Sequence, residues 1–196
     1  ELLDIGATLR TIRGLTQWWG KSESVRTALT GRFEALSPNK YLEEKIFTCI
    51  VSEEEVADNA SPALANIRRK IRAASQRVRD QLDKLIHSPA HQRHLQESIV
   101  TQRGGRYVVP VKAEFRGEVP GLVHDTSSSG ATVFVEPMSV VEANNEIRVL
   151  RSDEQEEISR ILLELSDEAG SFADSIIESY KYAVELDLIF AKAQIA

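Results

Sequence analysis

Ser61-Pro62-Ala63-Leu64-Ala65-Asn66-Ile67-Arg68-Arg69-Lys70-Ile71 opens the stretch that decides the fold. Ser61 reads as an N-cap and Pro62 as the first helical residue, a position where its missing N–H costs nothing. From there Leu64, Ile67, Ile71, Ala74, Val78, Leu82 and Leu85 recur at alternating steps of three and four. That is a coiled-coil-like seam sustained for about three heptads. Ser88-Pro89 repeats the cap-plus-proline signal, so the helix ends or kinks there and a shorter one restarts.

Working outward, the character changes at Arg103-Gly104-Gly105-Arg106. Tyr107 to Lys112, Gly121 to Asp125 and Ala131 to Glu136 are β-branched or aromatic runs bounded by Gly, Pro and Ser, which predict a small antiparallel sheet of about three strands. Ser127-Ser128-Ser129-Gly130 is its turn. After Pro137 helical periodicity returns, with Ile158, Ile161, Leu165, Ala169, Phe172 and Ile176 as a second seam. Upstream, residues 1–52 carry short helical patterns broken by Gly14, Gly20, Gly31 and Ser37-Pro38-Asn39. One amphipathic helix there runs through Tyr41, Leu42, Lys45, Ile46 and Cys49, before an acidic turn over Ser52–Ala60.

The expected fold class is therefore mainly α: a helical core with a long antiparallel helical lever carrying a small antiparallel β clamp at its tip. The parts are 1–60 for the first portion of the core and 61–102 for the ascending helix. Then come 103–138 for the β tip, 139–175 for the descending helix and 176–196 for the return to the core. At 1.5 Å per helical residue the lever reaches roughly 40 Å.

The chain has 196 residues, of which 42% are hydrophobic, 28% charged and 6% aromatic; that balance excludes a disordered chain. No apolar run approaches the ~20 residues of a membrane-spanning helix, so no membrane partner is expected. Cys49 is the one cysteine, which rules out an internal disulfide and fits a cytoplasmic, reducing setting. The chain starts at Glu1 without a leader, and Val184–Ala196 is helix-forming to the last residue, which predicts a piece of a longer protein.

The net charge of −6 hides a division along the chain: −3 over 1–61, +6 over 62–103, −1 over 104–138 and −8 over 139–196. One reading is that opposite charges flank the seam and pair the two long helices. The other is that Arg68, Arg69, Lys70, Arg72, Arg77 and Arg79 form a phosphate-facing stripe. One helix has faces enough for both.

Other motifs weigh less. No Gly-x4-Gly-Lys-Ser/Thr loop occurs, so no nucleotide is expected by that route and no cofactor is assigned to these residues. His87, His91 and His94 have helical spacing, yet Pro89 lies among them and no carboxylate or cysteine is near in sequence to close a metal site. His124-Asp125 beside three serines has no Gly-x-Ser-x-Gly context and reads as polar residues closing a hairpin. Arg103-Gly104-Gly105-Arg106-Tyr107 can contact phosphate and a base face, or simply turn a helix into a strand. Trp18-Trp19 has no basic cluster around it and reads as a core or interdomain anchor.

A family resemblance rests on longer stretches. Asp58–Leu64, Ile67-Arg68-Arg69, Arg106–Lys112 and above all Val123–Pro137 (VHDTSSSGATVFVEP) resemble the second bacterial paralogue of the MutS family, its type-two endonuclease branch. Leu186–Ala193 is similar to the end of the lever helix across MutS proteins. The resemblance implies core, lever and clamp in this stretch. For whole proteins it implies homodimers with an ABC-type ATPase using ATP and Mg²⁺, and a C-terminal Smr domain with nuclease activity. It further implies suppression of homologous recombination on branched or double-stranded DNA, and splitting of collided ribosomes through rRNA-bearing surfaces. No catalytic or metal-binding residue transfers to these 196.

The expected function is thus the nucleic-acid- or ribosome-gripping arm of an ATP-driven clamp. Arg103, Arg106, Lys112 and Arg116 are its tip contacts, and Arg68, Arg69, Arg72 and Arg77 are contacts along the lever. The alternative is a structural coupler that dimerises or transmits ATPase state without touching nucleic acid, as the −8 returning segment and its apolar seam suggest. Nuclease activity within this stretch is not expected, because no carboxylate cluster with an accompanying base is visible.

Overall fold

Pro62 does open a helix. In the computed structural model, which describes residues 1–21 and 26–195, α4 runs Pro62–Ile86 as a single 25-residue element. Its order in the chain is α1 (Leu2–Gly20), α2 (Thr30–Glu34), α3 (Lys40–Cys49), β1 (Ile50–Ser52), β2 (Glu55–Val56), α4, then α5 (Pro89–Gln92). β3 (Thr101–Arg103), β4 (Arg106–Lys112), β5 (Gly121–Thr126), β6 (Thr132–Pro137), α6 (Val141–Ser171) and α7 (Ala173–Ile195) follow. The fold is mainly α with a small antiparallel sheet. Ala196, the last residue of the predicted terminal helix, lies outside the described residues. By internal contacts the chain divides into two units, Glu1–Pro62 with Ile158–Ala196, and Ala63–Glu157.

The second unit is built on the predicted seam. Leu64, Ala74, Val78 and Leu82 are buried, while Ile67, Ile71 and Leu85 are half-buried at its margin. Ala74, Val78, Leu82 and Ile86 pack with Val109 and Val111 of β4, Val135 of β6, and Val140 and Ile147 beyond it. Each such buried aliphatic side chain contributes on the order of 1.5–3 kcal/mol. The sheet has four strands in the order β3-β4-β6-β5, one more than the sequence suggests. Thr101–Arg103 is the addition: three residues are too short to show alternation, and it is their hairpin to β4 that makes them a strand.

Three glycines and a bulge set the sheet's shape. Gly104 and Gly105 have φ of +55° and +77°, the left-handed pair that a two-residue hairpin turn requires. Gly121 lies so close to β6 that an added Cβ would stand 2.1 Å from the Glu136 carbonyl oxygen. On β5, Val123 pairs with Val135 and Asp125 with Phe134, leaving His124 as the extra residue of a bulge.

Opposite charge pairs the helices within this unit. Arg68 Nε lies 2.7 Å from Glu154 Oε1, and Arg77 Nη2 lies 2.7 Å from Glu146 Oε2. Partners on α6 fall in number as those on α4 rise, so the two segments run antiparallel, as the returning seam predicts.

In the first unit α1 packs on α3, α2 and α7, and α2 on α7. Ile12, Phe33, Leu36 and Leu186 form one of its buried clusters. Gly14, expected to break a helix, sits inside α1, where tertiary packing outweighs its modest helix penalty. The second seam holds for Ile161, Leu165 and Ala169, which are buried, but Phe172 falls at the α6–α7 junction and is exposed. Asn39 caps α3 by accepting a hydrogen bond from the Leu42 N–H at 3.0 Å. Glu43, 2% exposed, receives Arg13 at 2.7 and 2.9 Å and Arg10 at 3.2 Å. The hydrogen bond from Arg13 is the largest cause holding the Glu43 carboxyl below its ordinary value of 4.5; Arg10 adds to it and burial opposes.

Replacing Gly121 by Ala forces β5 off β6 and should cost about 1–3 kcal/mol, read as a lower urea midpoint at unchanged slope. Because the Glu43 carboxyl is depressed in the folded state, its stabilisation is complete above pH 4.5 and is lost as pH falls through the lower folded value. Glu43→Gln should therefore be less stable than the parent at neutral pH and converge with it in acid. Parallel stability curves across that range would contradict the assignment.

Candidate nucleic-acid interface

The β3–β4 hairpin sets Arg103 directly opposite Arg106. Like charges in that position repel, so each needs its own carboxylate. Arg106 turns inward: its Nη1 donates to Glu136 Oε1 at 2.7 Å and Oε2 at 3.0 Å, and its Nη2 to Asn145 Oδ1 at 2.6 Å. Glu136 is fully buried, and His124 Nε2 and the Asn144 amide complete its shell. The bulge on β5 frames His124 for this contact.

Asn144 has a second task. Continuing the β4–β6 register would set Tyr107 against Pro137, where β6 ends and which has no N–H to offer. The Asn144 side chain takes over, accepting from the Tyr107 N–H at 3.1 Å and donating to its carbonyl at 3.0 Å. Burial pushes the Tyr107 phenol up, but hydrogen bonding with Ser75 and Arg79, the Arg79 charge and Gln102 outweigh it. The group therefore lies below its ordinary value of 10.

Arg103 faces outward. Its guanidinium lies 3.9 Å from the centre of the Phe134 ring, its Nε is 3.2 Å from Asp125 Oδ2, and its side chain remains 37% exposed. Stacked and charge-paired, it is fixed without being covered. Lys112 Nζ donates to the Arg93 carbonyl at 3.1 Å, and Arg116 closes the turn before β5 by donating to the carbonyls of Val119 and Gly121 at 3.2 and 2.7 Å.

Along α4, Arg68 and Arg77 are the ion-pair partners of Glu154 and Glu146. Arg69 is exposed and donates to Asn66 Oδ1 at 2.8 Å; Arg72 and Lys70 are exposed as well. Arg79 lies 5.6 Å from the Tyr107 ring centre. The eight candidate residues thus divide. Arg69, Arg72 and Arg77 are exposed, Arg77 in an ion pair with Glu146; Arg103 is partly exposed and paired with Asp125; and Arg68, Arg106, Lys112 and Arg116 are largely engaged in holding the fold.

Sequence reasoning missed Phe134, Asp125 and Glu136 as the partners of the two arginines. Period-two alternation puts Phe134 and Glu136 on one face of β6, a usable signal, but the hairpin register that brings Arg103 and Arg106 to them is tertiary. His124 and Asp125 lie in β5 rather than closing the hairpin. His87 Nδ1 contacts the Asp83 carbonyl at 2.8 Å, and the His91 and His94 rings stand 6.4 Å apart. Among the described residues no group of three or more His, Cys, Asp or Glu side chains is placed to hold a metal ion. The ATP and Mg²⁺ implied for a longer protein find no matching loop in these residues. Trp19 stacks on Phe33 at 4.4 Å, consistent with an anchor.

No family model matches the chain. Individual proteins do. It is 47% identical over 200 residues to the endonuclease MutS2 of Acetivibrio thermocellus, and 47% over 198 residues to that of Ruminiclostridium cellulolyticum. It is 42% identical over 199 residues to the endonuclease MutS2 of Clostridioides difficile. Each alignment takes in 100% of this chain and 25% of the relative. The chain belongs to the MutS2 family. It spans about a quarter of the length of the MutS2 relatives it matches. No helix among the described residues is long and apolar enough to cross a membrane.

Glu136→Ala would leave Arg106, whose side chain is mostly covered, without its counter-charge, and should cost about 3–5 kcal/mol in urea unfolding. Arg103→Ala, at an exposed pair, should cost under about 1 kcal/mol. Equal costs for the two would contradict the inward and outward roles.

Proposed function

We propose that this chain is the gripping region of a MutS-like clamp, contacting phosphate-rich partners through its second unit. Membership of a family whose relatives are named endonucleases supports a nucleic-acid role. The observation that carries the reading is Arg103, fixed over Phe134 and beside Asp125 with its side chain still partly exposed. A cation held in place before the ligand arrives loses little entropy on binding. Arg69 and Arg72 extend the accessible charge along α4. Contacts of this type hold a backbone without reading sequence, which suits branched or double-stranded DNA and ribosomal RNA alike. Arg106, Lys112, Arg116, Arg68 and Arg77 serve this surface mainly by shaping it.

In a protein of MutS2 length, the ATPase outside these residues would bias two arrangements of the arm, and the arm would convert that bias into grip and release. Suppression of recombination on branched DNA and rescue of collided ribosomes are the two roles this device fits, in a homodimeric, cytoplasmic protein. Hydrolysis and nuclease chemistry belong to those other parts.

A second reading, a coupler that touches only protein, is favoured by the use of Arg68 and Arg77 in pairing α4 with α6. Affinity for branched DNA and for ribosomes, measured against salt with the chain and with a full-length MutS2 carrying matched substitutions, separates the two. Arg103→Ala combined with Arg69→Ala should weaken binding and flatten the log–log salt slope by about one for each phosphate contact removed. An unchanged affinity and slope would favour the coupler.

A further inference from the structure

The two arginines of the β3–β4 hairpin are held by carboxylates in very different settings. Glu136, which holds Arg106, is fully buried. Asp125, which holds Arg103, has a side chain 49% exposed. β3 and β5 are the two edge strands of the sheet, so the Arg103–Asp125 pair spans β4 and β6. Phe134 lies at its middle, as the cross-strand partner of Asp125 and the ring that carries the guanidinium. On the β3 side, Arg103 Nη1 donates to the Gln102 carbonyl at 2.8 Å and to Thr101 Oγ1 at 3.4 Å. Asp125 Oδ1 accepts from the Thr126 N–H at 2.8 Å, and Oδ2 meets the arginine. Arg103 is thus held from its own strand and from the Phe134 ring as well as by the carboxylate.

We propose that Asp125 is an internal competitor for backbone phosphate at Arg103, and so sets how tightly this surface grips a nucleic acid. The inference rests on the phosphate-binding reading of Arg103. A carboxylate offers a guanidinium what a phosphodiester offers, anionic oxygens that accept its hydrogen bonds. With Asp125 Oδ2 at 3.2 Å, the charge of Arg103 is already answered, and an arriving phosphate must displace that carboxylate. Displacement is easy here, because a pair at this exposure is weak and screened by salt. Drawing Arg106 from Glu136 would instead leave a buried charge unpaired. A carboxylate that merely positioned Arg103 would favour binding, and its loss would loosen the site. The ring contact and the Gln102 carbonyl argue against that role, since they fix the same side chain from two other directions. The competing charge is therefore the larger effect. A neutral isostere that keeps an oxygen for the Thr126 N–H isolates it.

Equilibrium titrations of the 196-residue protein with a labelled four-way DNA junction and, separately, with purified ribosomes test it between about 50 and 200 mM salt. Asp125→Asn should raise affinity about two- to fivefold for whichever probe supplies the phosphate, and steepen its log–log salt slope by about one. Asp125→Ser, a second neutral variant able to accept from the Thr126 N–H, should act alike. Arg103→Ala should weaken binding, and by a larger factor in the Asp125→Asn background than in the parent. Circular dichroism and the urea midpoint check that each variant is folded. If Arg103→Ala weakens binding while both neutral variants bind no better than the parent, the competitor is wrong and the phosphate-binding reading stands. Equal losses from Arg103→Ala in the two backgrounds would overturn the competitor in the same way. If neither probe binds, or Arg103→Ala changes nothing in either background, the phosphate-binding reading fails and the proposal falls with it.

Discussion

A single carboxylate, that of Glu136, holds the second unit in its working shape. It is buried completely, and such a charge is tolerated only when every lone pair is used. Arg106, His124 and the Asn144 amide use them, and they come from β4, the β5 bulge and the start of α6. Three elements far apart in sequence are thereby tied to one atom group. The same Asn144 repairs the sheet where Pro137 ends it, so the polar network and the backbone ladder are not separable. Because Arg106 is drawn inward, Arg103 across the hairpin is left outward with its own partners, Asp125 and Phe134.

The first unit repeats the device in a simpler form. Glu43 on α3 is nearly buried and gathers Arg10 and Arg13 from α1, locking the register of two helices whose apolar contacts alone are less directional. The α4–α6 pairs differ. Arg77 and Glu146 are roughly half-exposed, and pairs of that kind contribute at most about 1 kcal/mol. Their effect is on alignment of antiparallel segments more than on stability. The division of charge along the chain therefore records helix pairing first, while Arg69 and Arg72 are exposed and Arg103 is partly so.

The long-range plan was legible in the sequence because it rests on periodicity. The seam from Leu64 to Leu85, the proline-marked helix starts at Pro62 and Pro89, and three of the four strands follow from spacing and turn residues. Thr101–Arg103 was not legible, since a three-residue strand has no period and exists through its hairpin partner. Gly14 misled because a glycine in a packed helix obeys the packing. The arginines were found as candidates by type, but whether each faces in or out depends on Glu136, Asp125, Glu146 and Glu154, all tertiary partners. Charge counts could not distinguish Arg106 from Arg103; the register of one hairpin does.

The central dependence is that of Arg106 on Glu136, and a double-mutant cycle measures it directly. Unfolding free energies of Arg106→Ala, Glu136→Ala and the double variant should be non-additive by about 2 kcal/mol, the double variant being little worse than Glu136→Ala alone. Additivity to within about 0.3 kcal/mol would show that the two groups act independently and that the carboxylate does not organise the sheet.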